Sequence, residues 1–364
     1  MKIITRYTIQ QFVPNFLLSF LVFTFILLID KIFALTSLII NKGVDVTKVI
    51  MLFLYTLPSF ASLTFPMAFL MGTLLTLGSM QEDNEVTAIK AGGIPQLKIL
   101  YPLLSIALIS SICLIYFNQQ IAPLTSRRFT ETYYSIAYQS PTLKLEENVF
   151  TDVNNYRIFI KKINRKKNKL KGIIIYDLKD NNYPVLITAD TGIIRQSKNL
   201  LILDLSNGII QKKDETDLSK FTQIQFNTYS INFPLDQKAK SKKEYARNIV
   251  NMTGKELRKE IIRLKPQNIS TAILEVQYQQ RISIALACLT FILIGAPLAL
   301  MTHKHNKAIA FGISLIVIFV YYILLATGIS LGERAILPAW LALSLPNIVL
   351  IPAGILFLFK QKIQ

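Results

Sequence analysis

Long apolar stretches alternate with short polar connections over most of the chain. Each stretch exceeds the roughly 20 residues that an α-helix needs to cross a hydrocarbon layer of about 30 Å, whereas a buried core helix needs only about 10–14 apolar residues. Six windows contain no Asp, Glu, Lys or Arg: 7–29, 49–81, 99–126, 282–303, 308–332 and 335–359. The pattern therefore predicts six transmembrane helices in a 3+3 arrangement around one long insert.

The insert between the third and fourth windows has a different periodicity. Short β-branched runs, including Arg157–Ile160, Gly172–Tyr176, Val185–Thr188 and Leu200–Leu203, are separated by turn-forming residues. This spacing predicts an all-β sandwich or barrel, and a jelly-roll-like fold is consistent with it. Asn207-Gly208 lies between two apolar runs and predicts a β-hairpin, because a type I′ turn requires positive φ.

Polar sequence separates this domain from the second group of helices. The segment after Pro234 is basic through Arg247 and indicates a linker. Thr253-Gly254-Lys255-Glu256 then has the spacing of a capping box, which predicts a short helix through Leu264. We expect helices 1–3 within residues 1–126, the β domain within 127–250, a helical connector within 251–275 and helices 4–6 within 276–364.

The distribution of basic residues in the short loops predicts the orientation, because cytoplasmic loops carry more Lys and Arg. One side holds Lys2, Arg6, Lys90, Lys98, Lys304, Lys307, Lys360 and Lys362, and the other only Lys42, Lys48 and Arg334. Both termini of this multi-pass protein are therefore expected in the cytoplasm. The β domain is then on the outer side of the membrane.

The strongly basic balance does not indicate a nucleic-acid partner. The formal net charge is +18, and segment 122–275 alone carries 27 basic and 16 acidic residues. This segment lies on the outer side in the predicted orientation, away from nucleic acid. Either a solvated basic face or attraction to anionic lipid head groups explains the charge.

The loop between the second and third spans contains the first candidate site. Ser79 and Glu82 have capping-box spacing, and Gly92-Gly93 followed by Pro95 predicts the helix end. We expect a cytoplasmic helix near 80–92. Its acidic beginning, Glu82, Asp83 and Glu85, is unusual beside a membrane, where Lys and Arg are favoured on the cytoplasmic side. Either an ordinary interfacial helix or a docking surface for a basic cleft explains it.

Asp30-Lys31 is the second candidate site, because it interrupts the first apolar segment. A charge within a span costs several kcal/mol, on the order of 3, unless it is paired or faces a cavity. The two residues form either an Asp–Lys pair near the interface or a cationic site for a phosphate-bearing substrate.

Catalytic signatures are absent from the sequence. It has no Gly-x-x-x-x-Gly-Lys-Ser/Thr phosphate loop, so ATP hydrolysis by that route belongs to another protein. Its only histidines, His303 and His305, share one loop without Cys or carboxylate neighbours. We therefore expect no enzyme activity, no cofactor and no metal site.

Several motifs in order resemble the LptF/LptG (YjgP/YjgQ) permeases of the lipopolysaccharide exporter, over nearly the whole length. They are Ile4-Thr5-Arg6-Tyr7, Phe65-Pro66-Met67-Ala68, Glu85-Val86-Thr87-Ala88-Ile89-Lys90-Ala91-Gly92-Gly93, Arg281-Ile282-Ser283, Ile294-Gly295-Ala296-Pro297-Leu298, and Trp340 with Leu345-Pro346-Asn347. The resemblance implies a multi-pass protein of the bacterial inner membrane, with six helices and a periplasmic β-jelly-roll.

The resemblance also implies partners and roles. Two such permeases would face each other, and an LptB-like ATPase dimer would bind ATP and dock on the coupling helices, with Glu85 as the acidic contact. Lys31 would contact lipopolysaccharide phosphates, and an LptC-like periplasmic protein would receive the lipid for a periplasmic bridge. LptF and LptG are alike in architecture, so the choice between them stays open.

Other functions remain compatible with the residues alone. A non-transporting scaffold with an outer binding domain would have the same helices, and a permease for another anionic glycolipid would have the same charges. A membrane enzyme on lipid-linked substrates would need convergent polar residues that the sequence does not display.

Overall fold

A computed structural model describes residues 2–40, 44–95, 97–139, 147–153, 156–164, 168–178, 185–197, 200–213, 221–234, 249–267, 269–301 and 307–363. The predicted linker after Pro234, the histidine loop with Lys304, and Lys42 lie outside these residues.

The prediction of six membrane-spanning helices is confirmed. Within the described residues, six helices are long and apolar enough to cross a membrane. The described α-helices include these spans and two short helices, α3 and α6, and the third span consists of α4 and α5 together. Their bounds are α1 (Lys2–Ile40), α2 (Val46–Glu82), α3 (Glu85–Ala91), α4 (Leu97–Tyr116), α5 (Ala122–Gln139), α6 (Gly254–Leu264), α7 (Ala272–Met301), α8 (Lys307–Glu333) and α9 (Ala339–Ile363). A π-helical segment, Phe117–Ile121, joins α4 to α5.

The third span extends beyond its charge-free window. Helix α5 continues to Gln139, so residues 127–139 are helical although we expected the β domain to begin at 127. Between Pro123 and Pro141 the sequence contains no Pro or Gly, and nothing therefore interrupts the helical backbone. The strands begin only at Phe150.

The chain forms two compact units. The first comprises Met1–Ala34, Phe53–Phe129 and Ala246–Gln364, and the second comprises Leu35–Leu52 and Thr130–Tyr245. Each has its own hydrophobic core, one built from the spans and one from the strands.

Aromatic rings and hydroxyl groups hold α1 against α2 in the first unit. Phe16 packs edge-on against Phe65 and Phe69, with ring centroids 5.1 and 5.0 Å apart. Asn15 Nδ2 donates to Thr76 Oγ1 at 3.0 Å, which adds a polar contact between the helices. Such interhelical hydrogen bonds contribute to helix association in membranes, where burial from water gives no driving force.

A buried polar network joins the last three spans. Asn347 of α9 accepts a hydrogen bond from Thr290 Oγ1 at 2.8 Å and donates to Ser283 Oγ at 3.1 Å, both on α7. The Tyr321 hydroxyl of α8 donates to the Ser283 carbonyl at 3.1 Å. One amide side chain and one backbone carbonyl therefore fix the relative register of three helices.

The inserted domain is all-β, as predicted. Its strands are β1 (Phe150–Val153), β2 (Tyr156–Asn164), β3 (Lys169–Asp177), β4 (Val185–Ser197), β5 (Leu200–Lys213) and β6 (Phe221–Pro234). They form one antiparallel sheet in the order β1-β2-β3-β4-β5-β6. Every described pair of neighbouring strands is consecutive in the chain.

One transverse row interrupts the pairing of this sheet. The register continues on both sides of the row, but its own positions, Lys161, Gly172, Asp190, Asn207 and Asn227, are not among the paired residues. Gly172 and Asn207 have φ of 63° and 54°. The alternation of buried and exposed residues also changes across the row: in β2 the next buried residue after Ile160 is Ile163, three positions further on instead of two. Residues from both sides of the row belong to one hydrophobic core.

The predicted hairpin at Asn207-Gly208 is wrong, because β5 continues through both residues and pairs with β4 and β6. A type I′ turn needs positive φ at both central residues. Asn207 has it, but Gly208 does not. Gly208 instead permits close strand packing, since a Cβ there would lie 2.2 Å from the Thr188 carbonyl oxygen.

The connector agrees with its sequence signal. Thr253 caps α6 and forms the complete capping box with Glu256. The helix ends at Leu264, and a 3₁₀ turn, Lys265–Gln267, contains Pro266. The next helix, α7, begins at Ala272.

Candidate functional site

The acidic loop between the second and third spans has a different helix boundary from the predicted one. Helix α2 continues to Glu82, and α3 begins only at Glu85 after a turn in which Asn84 has φ of 58°. The predicted Ser79–Glu82 capping box is wrong, since Ser79 lies inside α2 and donates to the Thr76 carbonyl. Buried Leu77 and Met80 belong to the core of the spans, and their packing favours continuation of α2.

The end of α3 follows the prediction. Gly92 is its C-cap and donates its backbone N–H to the Ala88 carbonyl at 3.0 Å, and the Gly93 N–H donates to the Lys90 carbonyl at 2.9 Å. Gly93 has φ of 77°, a conformation that is strained for residues with a Cβ. With seven residues, α3 is shorter than the predicted helix near 80–92.

Glu85 contacts the first span. The Tyr7 hydroxyl donates to Glu85 Oε1 at 2.5 Å and accepts from Gln11 Nε2 at 2.6 Å. The second carboxylate oxygen of Glu85 is buried and has no hydrogen-bond partner within the described part of the chain. Val86, the next residue, is buried in the core of the spans. The beginning of α3 is therefore held to α1 by one hydrogen bond, and Val86 belongs to the same hydrophobic core as Phe12 of α1.

The three predicted docking carboxylates occupy two environments. Glu82 and Asp83 are exposed at the end of α2, whereas Glu85 is half-buried beside Tyr7. The sequence presented them as one acidic cluster. The fold leaves two free to face solvent and holds the third against α1.

Lys31 lies on a continuous helix. Helix α1 passes through Asp30-Lys31 without interruption, and Lys31 Nζ is 3.9 Å from Asp30 Oδ2. The Lys31 side chain is 48% exposed and the Asp30 side chain 89% exposed. An exposed pair at this separation contributes little to stability, about 0–1 kcal/mol. The ion pair that the sequence left as one alternative therefore exists, and Lys31 stays accessible.

The two candidate sites lie far apart on the same helix. Tyr7 and Lys31 are 24 positions apart on α1. At 1.5 Å per helical residue this separation is about 36 Å, more than the ~30 Å apolar layer. Helix α1 thus connects the contact with α3 to the Asp30-Lys31 pair.

A third polar cluster was missed by the sequence reasoning. Asn118 and Gln119 are buried in the π-helical segment and donate to the Arg281 and Tyr278 carbonyls of α7. Arg281 donates to the Met252 carbonyl at 2.8 Å and to the Val250 carbonyl at 3.0 Å. Three successive amide residues, Asn118-Gln119-Gln120, within a charge-free apolar window were the signal that could have revealed it.

The connector helix joins the same cluster. Arg127 donates to Glu256 Oε2 at 2.7 Å, and the Thr253 N–H donates to the same oxygen at 2.8 Å. The Arg127 guanidinium, followed by the Thr253 N–H, holds the pKa of the Glu256 carboxyl below its usual range. Ser126 also donates to Asn251 Oδ1, so α5 and the beginning of the connector are joined at two places.

Comparison with known proteins identifies the family. The family model described as lipopolysaccharide export system permease LptF/LptG matches residues 6–360. The uncharacterized protein RP871 of Rickettsia prowazekii (strain Madrid E) is 23% identical over 232 residues, which are 64% of this chain and 63% of that protein. The alignment thus spans just under two thirds of the relative's length. Because the family model covers nearly the whole of this chain, the chain belongs to the LptF/LptG family of lipopolysaccharide export permeases.

Proposed function

We propose that this chain is the permease subunit of an ATP-driven exporter that extracts lipopolysaccharide from the inner membrane and passes it to a periplasmic bridge. The observation that carries the proposal is the family match over residues 6–360. Six membrane-competent helices and an inserted β domain are the architecture that such a permease requires.

ATP hydrolysis belongs to a partner in this proposal. An LptB-like ATPase dimer docks on α3 and on the turn before it, where Glu82 and Asp83 are exposed and Glu85 is half-buried. Three carboxylates within four positions complement a basic cleft. A second LptF/LptG-type permease completes the membrane part, and an LptC-like periplasmic protein receives the lipid.

Helix α1 is the proposed connection between ATP and substrate. Movement of α3 on ATP binding would reach α1 through the Tyr7–Glu85 hydrogen bond and the buried Val86. Lys31, near the opposite end of α1, binds a phosphate of the lipid, since its ammonium group is accessible. The orientation with both termini in the cytoplasm is part of the proposal.

Co-purification tests the docking part. The full chain is isolated from its native membrane in mild detergent, and the co-purifying proteins are identified by mass. We expect a soluble protein with a phosphate-loop motif, lost on Glu85→Arg. Glu333→Arg is the matched control, because Glu333 is an exposed carboxylate at the end of α8. Equal recovery from both variants would contradict docking at α3, and isolation of the chain alone would favour a scaffold.

Cross-linking tests the substrate part. A photoreactive group placed at Ile32, beside Lys31 and exposed, should capture lipopolysaccharide in membranes. Lys31→Gln should reduce capture several-fold, whereas Asp30→Asn should preserve or raise it, because it removes the competing carboxylate. Equal capture by both variants would exclude Lys31 as a phosphate contact. Capture of a different glycolipid would leave the assignment as a permease unchanged but would assign it a different substrate.

A further inference from the structure

A small cavity lies within the membrane-spanning unit, where α2, the π-helical segment and α7 meet. Its volume is about 200 Å³. The polar residues that line it are Ser59, Ser62, Asn118, Ser126, Gln277, Gln280 and Arg281. It therefore lies beside the cluster that joins the third span to the fourth, and Tyr7, Glu85 and Lys31 do not line it.

Arg281 is a cation at this cavity, and the described part of the chain provides no paired anion for it. The Arg281 guanidinium donates to two backbone carbonyls, which are neutral, and among the described residues no carboxylate forms an ion pair with it. A guanidinium has five N–H groups, so donors remain after these two bonds. Arg281 immediately precedes the charge-free window 282–303. This is the depth of the lipid head groups, where an anionic phosphate is the available counterion.

The cavity also has a buried acceptor. Asn118 is only 4% exposed, and its Nδ2 donates to the Arg281 carbonyl at 3.2 Å. Its Oδ1 is buried and has no partner within the described part of the chain. Leaving a buried acceptor unpaired costs about 1–3 kcal/mol. A ligand that fits here must therefore supply a hydrogen-bond donor as well as a negative charge.

The π-helical segment explains how both amides reach the interior. A π-turn inserts one extra residue into a helix, and such turns are frequent at functional sites. Asn118 and Gln119 are consecutive, yet both are buried and both contact α7. In a regular α-helix, neighbouring side chains are about 100° apart and face different directions. The helix distortion thus places Asn118 at the wall of the cavity.

We propose that this cavity binds the head group of a glycerophospholipid whose phosphate lies on Arg281 and whose N–H or O–H group donates to Asn118 Oδ1. Phosphatidylethanolamine and phosphatidylglycerol have both groups, whereas phosphatidylcholine has the phosphate but no head-group donor. The volume is below the roughly 300–1,000 Å³ of sites for drug-sized molecules, so one head group fits and a phosphorylated disaccharide does not. The inference does not rest on the proposed export function.

Lipid selectivity is the direct test. The delipidated full chain in detergent is titrated with the three phospholipids, matched in acyl chains, and bound lipid is measured by native mass spectrometry and by the rise in melting temperature. We expect phosphatidylcholine to bind about tenfold more weakly, the scale of one lost hydrogen bond to a buried acceptor. Equal binding of all three lipids would overturn the proposal. So would an equal effect of inorganic phosphate alone, or displacement of phosphatidylethanolamine by lipopolysaccharide.

Filling the cavity tests its location. Ser62→Leu adds volume at the wall of the cavity, and Ser105→Leu is its matched control on the exposed face of α4. Each serine hydroxyl donates to the carbonyl four residues earlier, at 3.0 and 2.8 Å. Ser62→Leu should abolish the preference for phosphatidylethanolamine over phosphatidylcholine, and Ser105→Leu should retain it. If Ser62→Leu fails to fold, Gln280→Leu is used for the same test. Retained preference in the filled variants would refute the site.

Discussion

Tyr7 and Glu85, 78 positions apart in the sequence, are joined by a hydrogen bond of 2.5 Å between the Tyr7 hydroxyl and Glu85 Oε1. An isolated helix of seven residues is not stable in water, because helix nucleation is unfavourable. The contact with α1, together with burial of Val86, therefore supplies the tertiary stabilisation of α3.

Loss of this hydrogen bond should loosen α3 specifically. Tyr7→Phe removes the hydroxyl and costs up to about 1 kcal/mol locally, so the α3 amides should exchange with deuterium up to about fivefold faster. Hydrogen–deuterium exchange with mass spectrometry measures this over Glu85–Ala91. Tyr116→Phe, an exposed tyrosine on α4, is the control and should leave α3 unchanged. Unaltered exchange in Tyr7→Phe would show that Val86 alone holds the helix.

A methyl group at the close contact between α9 and α7 should destabilise the protein. A Cβ at Gly354 would lie 2.5 Å from the Leu293 carbonyl oxygen, whereas a Cβ at Gly312 meets nothing within 4 Å. Gly354→Ala should lower the free energy of unfolding by about 1–3 kcal/mol. Gly312→Ala should leave it unchanged or raise it by up to about 1 kcal/mol, because alanine favours helix. Thermal unfolding in detergent compares the two, and equal melting temperatures would contradict the packing.

The buried amide of Asn347 should contribute more to the free energy of unfolding than an exposed hydroxyl group does. Asn347→Leu removes the bonds to Thr290 and Ser283 and should destabilise the protein by about 1–2 kcal/mol. Ser344→Ala, one turn earlier on α9, removes only a bond to the Trp340 carbonyl of its own helix. We expect that variant within about 0.5 kcal/mol of the wild type. A neutral Asn347→Leu would mean that the network sets register without adding stability.

Acid should weaken the attachment of the connector. The pKa of Glu256 is lowered in the folded protein, so the unfolded chain takes up this proton first as pH falls. The contribution of Glu256 to stability is then complete above its ordinary pKa of about 4.3 and is lost as pH falls further through the folded pKa. The melting-temperature difference between wild type and Glu256→Gln should be positive at pH 6 and shrink below about pH 4. A constant difference between pH 6 and 3 would contradict the assignment.

Local sequence properties determined the elements of this protein. A charge-free run longer than about 20 residues specifies a span wherever it occurs, because the cost of burying charge in lipid is a property of the run itself. The capping box at Thr253 likewise needs only residues within one turn, and the structure contains it as predicted. The β-branched runs of the insert became strands for the same reason.

Tertiary contacts decided the features that sequence reasoning misplaced or missed. Ser79 and Glu82 had the spacing of a cap, but burial of neighbouring residues in the core kept Ser79 inside α2. Asn207-Gly208 had the composition of a turn, but pairing with strands on both sides carried β5 through it.

Contacts between distant segments assemble the candidate sites. The Tyr7–Glu85 bond, the Asn118 contact with α7 and the carbonyls around Arg281 each join residues far apart along the chain. A single sequence records the composition of each segment but not which segments meet. Its hydrophobic and polar pattern therefore determined the six membrane-competent helices and the β insert, and only the packing of the helices determined where its buried polar groups converge.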